Sequence, residues 1–156
     1  MVGALDRLSE LGLELPSAPA PAAAYQPWAQ LPDGAGGLVF TAGQLPVVDG
    51  VLPRTGKLGA DLATDEGAAL ARTAALNVLA VAAAAIGDLD RVRVVKLTVF
   101  VASTPDFTEQ HLVANGASEL LADVLGDAGV HARSAVGVPV LPLDSPVEVE
   151  AILTAR

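Results

Sequence analysis

The sequence predicts a single α+β domain, in which a mixed β-sheet carries two α-helices packed on one face. Two observations lead to this fold class. Short β-favouring runs and two long helical segments alternate in the order β-β-α-β-α-β-β along the chain. The length of 156 residues also fits one domain, because a domain of this size buries roughly two-thirds of the surface that its unfolded chain exposes.

The first 24 residues are expected to form a region of their own, ahead of the domain at residues 25–156. Three leucines at helical spacing predict a short amphipathic helix: Leu5, Leu8 and Leu11. The Pro/Ala-rich stretch at residues 16–21 then predicts a stiff, extended linker.

The first two strands are predicted at residues 25–31 and 38–41, where short apolar and β-favouring runs flank the turn signal Pro32-Asp33-Gly34. We expect these strands to form a hairpin. Residues 46–63 contain further glycine turn signals, so this segment is expected to be mostly loop.

The first long helix is predicted to start after Thr64 as its N-terminal cap and to stop at Gly87. Asp65 and Glu66 fall in its first turn, where carboxylates suit the positive end of the helix dipole. Its apolar face is formed by Leu70, Ala74, Leu76, Leu79, Val81 and Ile86.

A long strand is predicted at residues 92–102, which are rich in β-branched and apolar side chains. Ser103 or Thr104 is then expected to cap a second helix that has Pro105 at its first position and ends at Gly126. The last two strands are predicted at residues 134–140 and 147–153, paired as a hairpin through the proline-rich segment between them.

Charge and hydropathy limit the classes of partner. Nine Lys and Arg against eighteen Asp and Glu give a formal net charge of −9, and the basic residues are scattered, so no nucleic-acid partner is expected. The most apolar run, residues 79–86, is much shorter than the about 20 residues of a membrane span. With no signal peptide and no cysteine, a cytoplasmic protein without a membrane partner is expected. A hydrophobic fraction of 52% with 17% charged residues predicts contact with another subunit.

Three candidate motifs lack the context that their chemistry requires. The glycine-rich run at residues 33–37 precedes a strand, whereas a phosphate-binding loop leads into a helix. His111 and His131 are the only histidines and have no carboxylate at ligand spacing, so no metal site is predicted. Ser134, His131 and Asp144 do not predict a catalytic triad, because no nucleophile elbow surrounds the serine.

Two patterns in the last two predicted strands indicate a ligand site. Arg133 alternates with Ala135 and Gly137 on one strand face, so a single cation has small neighbours that leave room for a ligand. Glu148 and Glu150 share one face of the last strand. A solvated strand face explains both patterns equally well, and periodicity alone does not decide between the two interpretations.

Several segments resemble, in order and at nearly the same spacing, the sequence signature of one protein family. They are Ala42-Gly43-Gln44-Leu45-Pro46, Thr98-Val99-Phe100-Val101, Asp106-Phe107, the run from His131 to Val138, Leu141-Pro142 and the run from Val147 to Ala151. The family is YjgF/RidA, the reactive-intermediate (enamine/imine) deaminases, and the similarity extends from about Tyr25 to Ala151. The N-terminal helix, the linker and residues 115–118 resemble the family's longer-chain, endoribonuclease-like branch.

The resemblance implies roles for five residues. Arg133 corresponds to the arginine that holds the substrate carboxylate, which a planar guanidinium can bind through two parallel hydrogen bonds. Glu148 corresponds to the glutamate that positions or activates water. Tyr25 corresponds to a tyrosine lining the pocket, Gly43 to a backbone contact in the site, and Asn115 to an asparagine on the second helix.

Two positions depart from the family. Ala42 replaces a serine, and Ala135, which is expected to line the substrate site, stands where the family often has cysteine. Neither change removes the anion-binding arginine or the glutamate, but both alter which substrate side chain fits. Matching Tyr25 and Gly43 also requires a short insertion at residues 32–37.

The resemblance implies an enzyme that hydrolyses small 2-imino or 2-enamino acids to 2-oxo acids and ammonia, with no metal or organic cofactor. Its partner is then a small carboxylate-bearing imine, enamine or 2-oxo acid. A non-catalytic protein that binds small carboxylates, or regulates through them, is the alternative. RNA cleavage follows from the name of the branch, and the net charge of −9 argues against it.

The family implies a homotrimer with sites between subunits, and the predicted hairpin bears on this. If residues 134–140 and 147–153 pair as a regular hairpin, Glu148 lies opposite about Pro139. Arg133 is then six positions away, roughly 20 Å at the rise of a strand. A site that uses both residues therefore needs a bent or bulged strand, or a second chain.

Overall fold

The computed structural model describes residues 1–20, 24–32 and 37–156. The helices and strands are α1 (Ala4–Glu10), β1 (Trp28–Gln30), β2 (Leu38–Thr41), α2 (Thr64–Ile86), β3 (Val92–Ala102), α3 (Gln110–Leu125), β4 (Ala132–Val138) and β5 (Val147–Ala155). Short 3₁₀ turns lie at Leu89–Arg91, Gly126–Gly129 and Pro142–Asp144. Asp33 and Gly34 of the predicted turn, most of the glycine-rich run and the last residue of the linker lie outside the described residues.

The sheet has five strands in the order β1-β2-β5-β3-β4. β3 and β4 run parallel, and the other neighbouring pairs are antiparallel. The predicted hairpin between the last two strands is therefore wrong, because β5 lies between β2 and β3 and does not pair with β4. The inward side chains of β5 are fully buried, as is typical of a central strand; they are Val147, Val149, Ala151 and Leu153. β4 is half exposed, as is typical of an edge strand.

One face of this mixed sheet is covered by α2 and α3, which pack side by side, so the predicted α+β class is confirmed. Small residues bring the two helices together. A Cβ added to Gly116 of α3 would lie 1.9 Å from the carbonyl oxygen of Ala68 in α2, so only glycine fits at this crossing. The 23 residues of α2 have the length and hydropathy of a membrane span, but half of their most apolar stretch is buried inside the protein.

The helix ends differ in part from the prediction. The cap of α2 is Ala63, whose backbone N–H donates to Glu66 at 2.9 Å, and Thr64 is the first helical residue. Gly87 ends the helix in the left-handed region, as predicted. The second predicted helix starts later, at Gln110, because the backbone N–H groups of Ser103 and Thr104 donate to the carbonyls of Val138 and Leu58, both at 3.0 Å.

The N-terminal helix packs on the body of the protein, but through a different face from the predicted one. Ala4 and Leu8 are buried, whereas Leu5 is 61% exposed. The backbone N–H of Ala4 donates to Asp90 at 2.8 Å, and the Arg7 guanidinium donates to the Val124 carbonyl at 3.2 Å. These two contacts fix α1 near the C-terminal end of α3.

The other face of the sheet, here called the open face, carries no helix from the part of the chain that the structure describes. It presents mixed polar and apolar side chains, which are Phe40, Lys96, Thr98, Phe100, Ser134, Val136, Glu148, Glu150 and Ile152. Phe40 is 39% and Val136 is 43% exposed. Apolar side chains thus remain accessible on a broad face of the sheet.

Candidate functional site

Arg133 is held by side-chain and backbone groups of α3. Its Nη1 donates to the Asn115 side-chain oxygen and to the Ser118 hydroxyl, both at 3.0 Å, and its Nη2 donates to the His111 carbonyl at 3.1 Å. The predicted proximity of Arg133 and Asn115 is therefore present. Asn115 and Ser118 contact the same guanidinium because residues three apart share one face of a helix.

The guanidinium retains both charge and donors for a ligand. A guanidinium has about five N–H donors, and these three hydrogen bonds leave two, the number that a carboxylate accepts from arginine side-on. Among residues 1–20, 24–32 and 37–156, Arg133 has no ion pair. A half-buried cation without a counter-ion is suited to bind an anion.

A cavity of about 280 Å³ adjoins Arg133 and is lined by Ser118, Ala122, Gly129, Val130, His131 and Arg133. The Ser118 hydroxyl lies 2.9 Å from His131 Nε2, and His131 Nδ1 contacts the Gly129 carbonyl. His131 was considered as a metal ligand, as a triad base and as the first residue of a family-like run, and Ser118 was not predicted as a site residue. The helical spacing of Ser118 from Asn115 was the available signal.

Ala135 lies two positions beyond Arg133 on the same face of β4 and packs against the hydrophobic core. Its register partner is the fully buried Val99. The core thus partly covers this predicted substrate-lining position, which is not among the residues that line the cavity beside Arg133.

Glu148 lies on the open face, directly against Gly43. A Cβ added to Gly43 would lie 1.9 Å from Glu148 Oε1, so the carboxyl group sits closely over the glycine backbone. Two hydrogen bonds hold the segments together, because Gln44 N–H donates to the Val149 carbonyl at 2.7 Å and Val149 N–H donates back at 2.9 Å. Burial, and then the nearby charge of Glu150, raises the pKa of Glu148 above that of an ordinary glutamate.

Tyr25 and Gly43 line a second cavity, of about 480 Å³. Its remaining walls come from the N-terminal segment around Pro16–Ala20, the loop around Leu45–Gly50 and Asn77 of α2. The Asn77 amide donates to the carbonyls of Leu45 and Val47, at 2.9 and 3.0 Å, and so fixes this loop on the helix. The contribution of the N-terminal segment to this cavity was not predicted.

The structure thus divides the predicted site residues into two groups that do not meet within one chain. Arg133 pairs with Leu97 on the helix-covered face, and Glu148 pairs with Phe100 on the open face. β3 separates them by two strand spacings and three residues, roughly 14 Å between Cα atoms. The separation of roughly 20 Å expected from a β4–β5 hairpin is wrong, since β4 and β5 are not neighbours. The one register shift recorded along β3 and β5, between Val94 and Lys96, does not bring the two residues together.

Comparisons with known proteins cover nearly the whole chain. A family model described as "YjgF/chorismate mutase-like, putative endoribonuclease" matches residues 5–153. Protein TCP17 of Trypanosoma cruzi is 51% identical over 148 residues, 94% of this chain and 90% of that protein. The 2-iminobutanoate/2-iminopropanoate deaminase of Escherichia coli K12 is 37% identical over 137 residues, 86% of this chain and 91% of that protein. The crystal structure of Atu1372, a protein of unknown function from Agrobacterium tumefaciens, has a TM-score of 0.89 and 44% identity, and the match covers 98% of this chain and 92% of that one.

Proposed function

Because the chain belongs to the YjgF/chorismate mutase-like family, we propose that it hydrolyses small 2-imino or 2-enamino acids to 2-oxo acids and ammonia. The observation that carries the proposal is the half-buried Arg133, which keeps two free donors and has no counter-ion among the described residues. Support also comes from the Escherichia coli relative, whose name gives 2-iminobutanoate and 2-iminopropanoate as substrates.

Arg133 binds the substrate carboxylate in this mechanism, and Glu148 moves protons. As water adds to the carbon of the protonated imine, Glu148 accepts a proton from the water. It returns this proton to the nitrogen, which leaves as ammonia when the C–N bond breaks. The remaining hydroxyl loses its proton to Glu148 as the C=O bond of the 2-oxo acid forms, and Glu148 passes this proton to the departing ammonia, which restores the carboxylate. Because the pKa of Glu148 is raised, it lies closer to neutral pH than that of an ordinary glutamate, and the same carboxyl group can serve as both base and acid.

A homotrimer with sites between neighbouring subunits forms part of this proposal. Within one chain Arg133 and Glu148 lie on opposite faces of the sheet, so a complete site requires the Arg133 side of one copy to face the Glu148 side of another. The exposed Phe40 and Val136 on the open face provide apolar surface for such a contact.

Ammonia release from imines, generated in the assay by an amino-acid oxidase, tests the proposal. We expect Arg133→Ala to lower kcat/KM at least about 100-fold, since a charge-assisted bidentate contact is lost. Arg72→Ala is the matched control, because Arg72 is a surface arginine 3.6 Å from Asp123. An unchanged rate in Arg133→Ala would show the mechanism to be wrong.

Glu148→Gln separates an enzyme from a carboxylate-binding protein. The enzyme is expected to keep its affinity for 2-oxo acids while turnover falls about 10²- to 10⁴-fold, the usual contribution of a general acid–base. A protein that only binds carboxylates has no turnover in the wild type. Calorimetric titration with pyruvate and 2-oxobutanoate, beside the ammonia assay, distinguishes the two outcomes.

A further inference from the structure

We propose that Ser118 and His131 are positioning residues for Arg133, which hold its guanidinium in the orientation that binds the substrate carboxylate. This inference rests on the function proposed above and assigns two further residues to the same site. Both side chains line the cavity of about 280 Å³ beside Arg133 and are half-buried, so neither belongs to the closed hydrophobic core.

The chemistry of the donors fixes the direction of each hydrogen bond. A guanidinium can only donate, so the Ser118 oxygen accepts from Arg133 Nη1 at 3.0 Å. A carbonyl can only accept, so His131 Nδ1 carries the proton that contacts the Gly129 carbonyl. With its proton on Nδ1, this tautomer of the imidazole has a lone pair on Nε2, which accepts the Ser118 hydroxyl proton at 2.9 Å.

This chain of hydrogen bonds begins on α3 and ends in the 3₁₀ turn Gly126–Gly129, which packs against the same helix. Ser118 is part of the helix, and a Cβ on Gly129 would lie 2.0 Å from the Leu121 carbonyl oxygen, so Gly129 is packed tightly against the same helix. His131 is thus held at both ring nitrogens by groups that α3 fixes. Ser118, so oriented, presents an acceptor to Arg133 before any ligand arrives.

An arginine that is oriented in advance loses less rotational freedom when it binds a carboxylate, so its affinity is higher. The two N–H groups that remain free are then directed by the three that are engaged. Without Ser118, the contacts to Asn115 and the His111 carbonyl remain, but Nη1 loses one of its two partners.

The test measures Kd for pyruvate and 2-oxobutanoate by calorimetry, together with KM and kcat for the imine reaction. Ser118→Ala and His131→Ala are each expected to raise Kd and KM about tenfold, which corresponds to about 1.4 kcal/mol, with kcat changed less than about threefold. Ser118→Thr, which keeps the hydroxyl, is expected to restore Kd to within about threefold of the wild type.

Ser134→Ala is the matched control. Ser134 is adjacent to Arg133 and its hydroxyl also accepts from a cation, Lys96 Nζ at 3.0 Å, but on the open face of the sheet. The Kd of the Ser134→Ala variant for 2-oxo acids should equal that of the wild type. Thermal unfolding of every variant verifies that a change in Kd does not reflect loss of the fold.

The outcomes separate this inference from the proposed function. If the wild type binds 2-oxo acids but releases no ammonia, the proposed reaction fails, and the Kd values of the variants still decide the role of Ser118. A wild-type Kd in both Ser118→Ala and His131→Ala overturns the inference while leaving the deaminase proposal intact. If the wild type binds no 2-oxo acid and releases no ammonia, both are overturned.

Discussion

A single added methyl group at Gly43 is expected to displace Glu148, the carboxylate proposed to activate water. The backbone of Gly43 is outside the left-handed region, so alanine is conformationally acceptable there. Its Cβ would, however, lie 1.9, 2.7 and 2.9 Å from Oε1, Cδ and Cγ of Glu148. An ordinary contact begins near 3.4 Å, so the carboxylate has to move by about 1.5 Å.

The consequence for turnover follows from that displacement. Misplacing a reacting group by about 1 Å costs on the order of 10²-fold in rate, or about 2.7 kcal/mol of transition-state stabilisation. All three atoms in conflict belong to a flexible side chain, so the fold accommodates Gly43→Ala. Affinity for 2-oxo acids is expected to change less than turnover, because within one chain Arg133 lies on the other face of the sheet and the methyl group does not displace it.

Ammonia release with oxidase-generated imines measures kcat for Gly43→Ala, for Glu148→Gln and for the double variant. If the methyl group acts only through Glu148, it has no further effect once Glu148 is glutamine, and the two single effects do not add. Additive effects, or wild-type turnover in Gly43→Ala, would refute the reasoning. A crystal structure of Gly43→Ala with Glu148 unmoved would refute it as well.

Three further predictions concern stability and assembly. Gly116→Ala should destabilise the fold by about 3 kcal/mol, the upper end of the usual cost of overpacking, because the added Cβ meets the Ala68 backbone 1.9 Å away; an unchanged urea midpoint contradicts this. The raised pKa of Glu148 means that its contribution to stability is greatest when it is protonated and is lost as pH rises through the folded-state pKa. Glu148→Gln should therefore melt above the wild type at pH 7, and the difference should vanish below about pH 4; a difference independent of pH argues against desolvation as the cause. Phe40→Glu should leave the fold intact, since Phe40 is 39% exposed, but dissociate the proposed trimer and abolish the proposed turnover, as light scattering and the ammonia assay will show; a trimeric, active variant contradicts an assembly through the open face.

Features that residues adjacent in sequence determine were easier to predict than features that depend on distant segments. The bounds of β3 and the glycine that ends α2 were predicted, because both follow from residues adjacent in sequence. The pairing of β4 with β3 was not predicted. A proline-rich connection fits a hairpin as well as a crossing to the far side of β3, and only the competition for central positions in the sheet decides between them.

The same distinction applies to the candidate site. The family resemblance identified four of these residues as site residues. Arg133 contacts Asn115, and Glu148 lies against Gly43. The resemblance did not name Ser118, because a serine in a helix acquires significance only from what another segment places beside it. Nor did it predict that the two groups lie on opposite faces, since that depends on the register of three strands.

The central position of β5 has a consequence for how the protein is made. Until residues 147–155 have been synthesised, β2 and β3 each present an unpaired edge, and the strand that joins them is still missing. Unpaired edges recruit other chains, and pairing between distant segments is slow. Insertion of β5 is therefore expected to limit the folding rate, and a nascent chain interrupted before Val147 should aggregate or be degraded instead of forming a partly active domain.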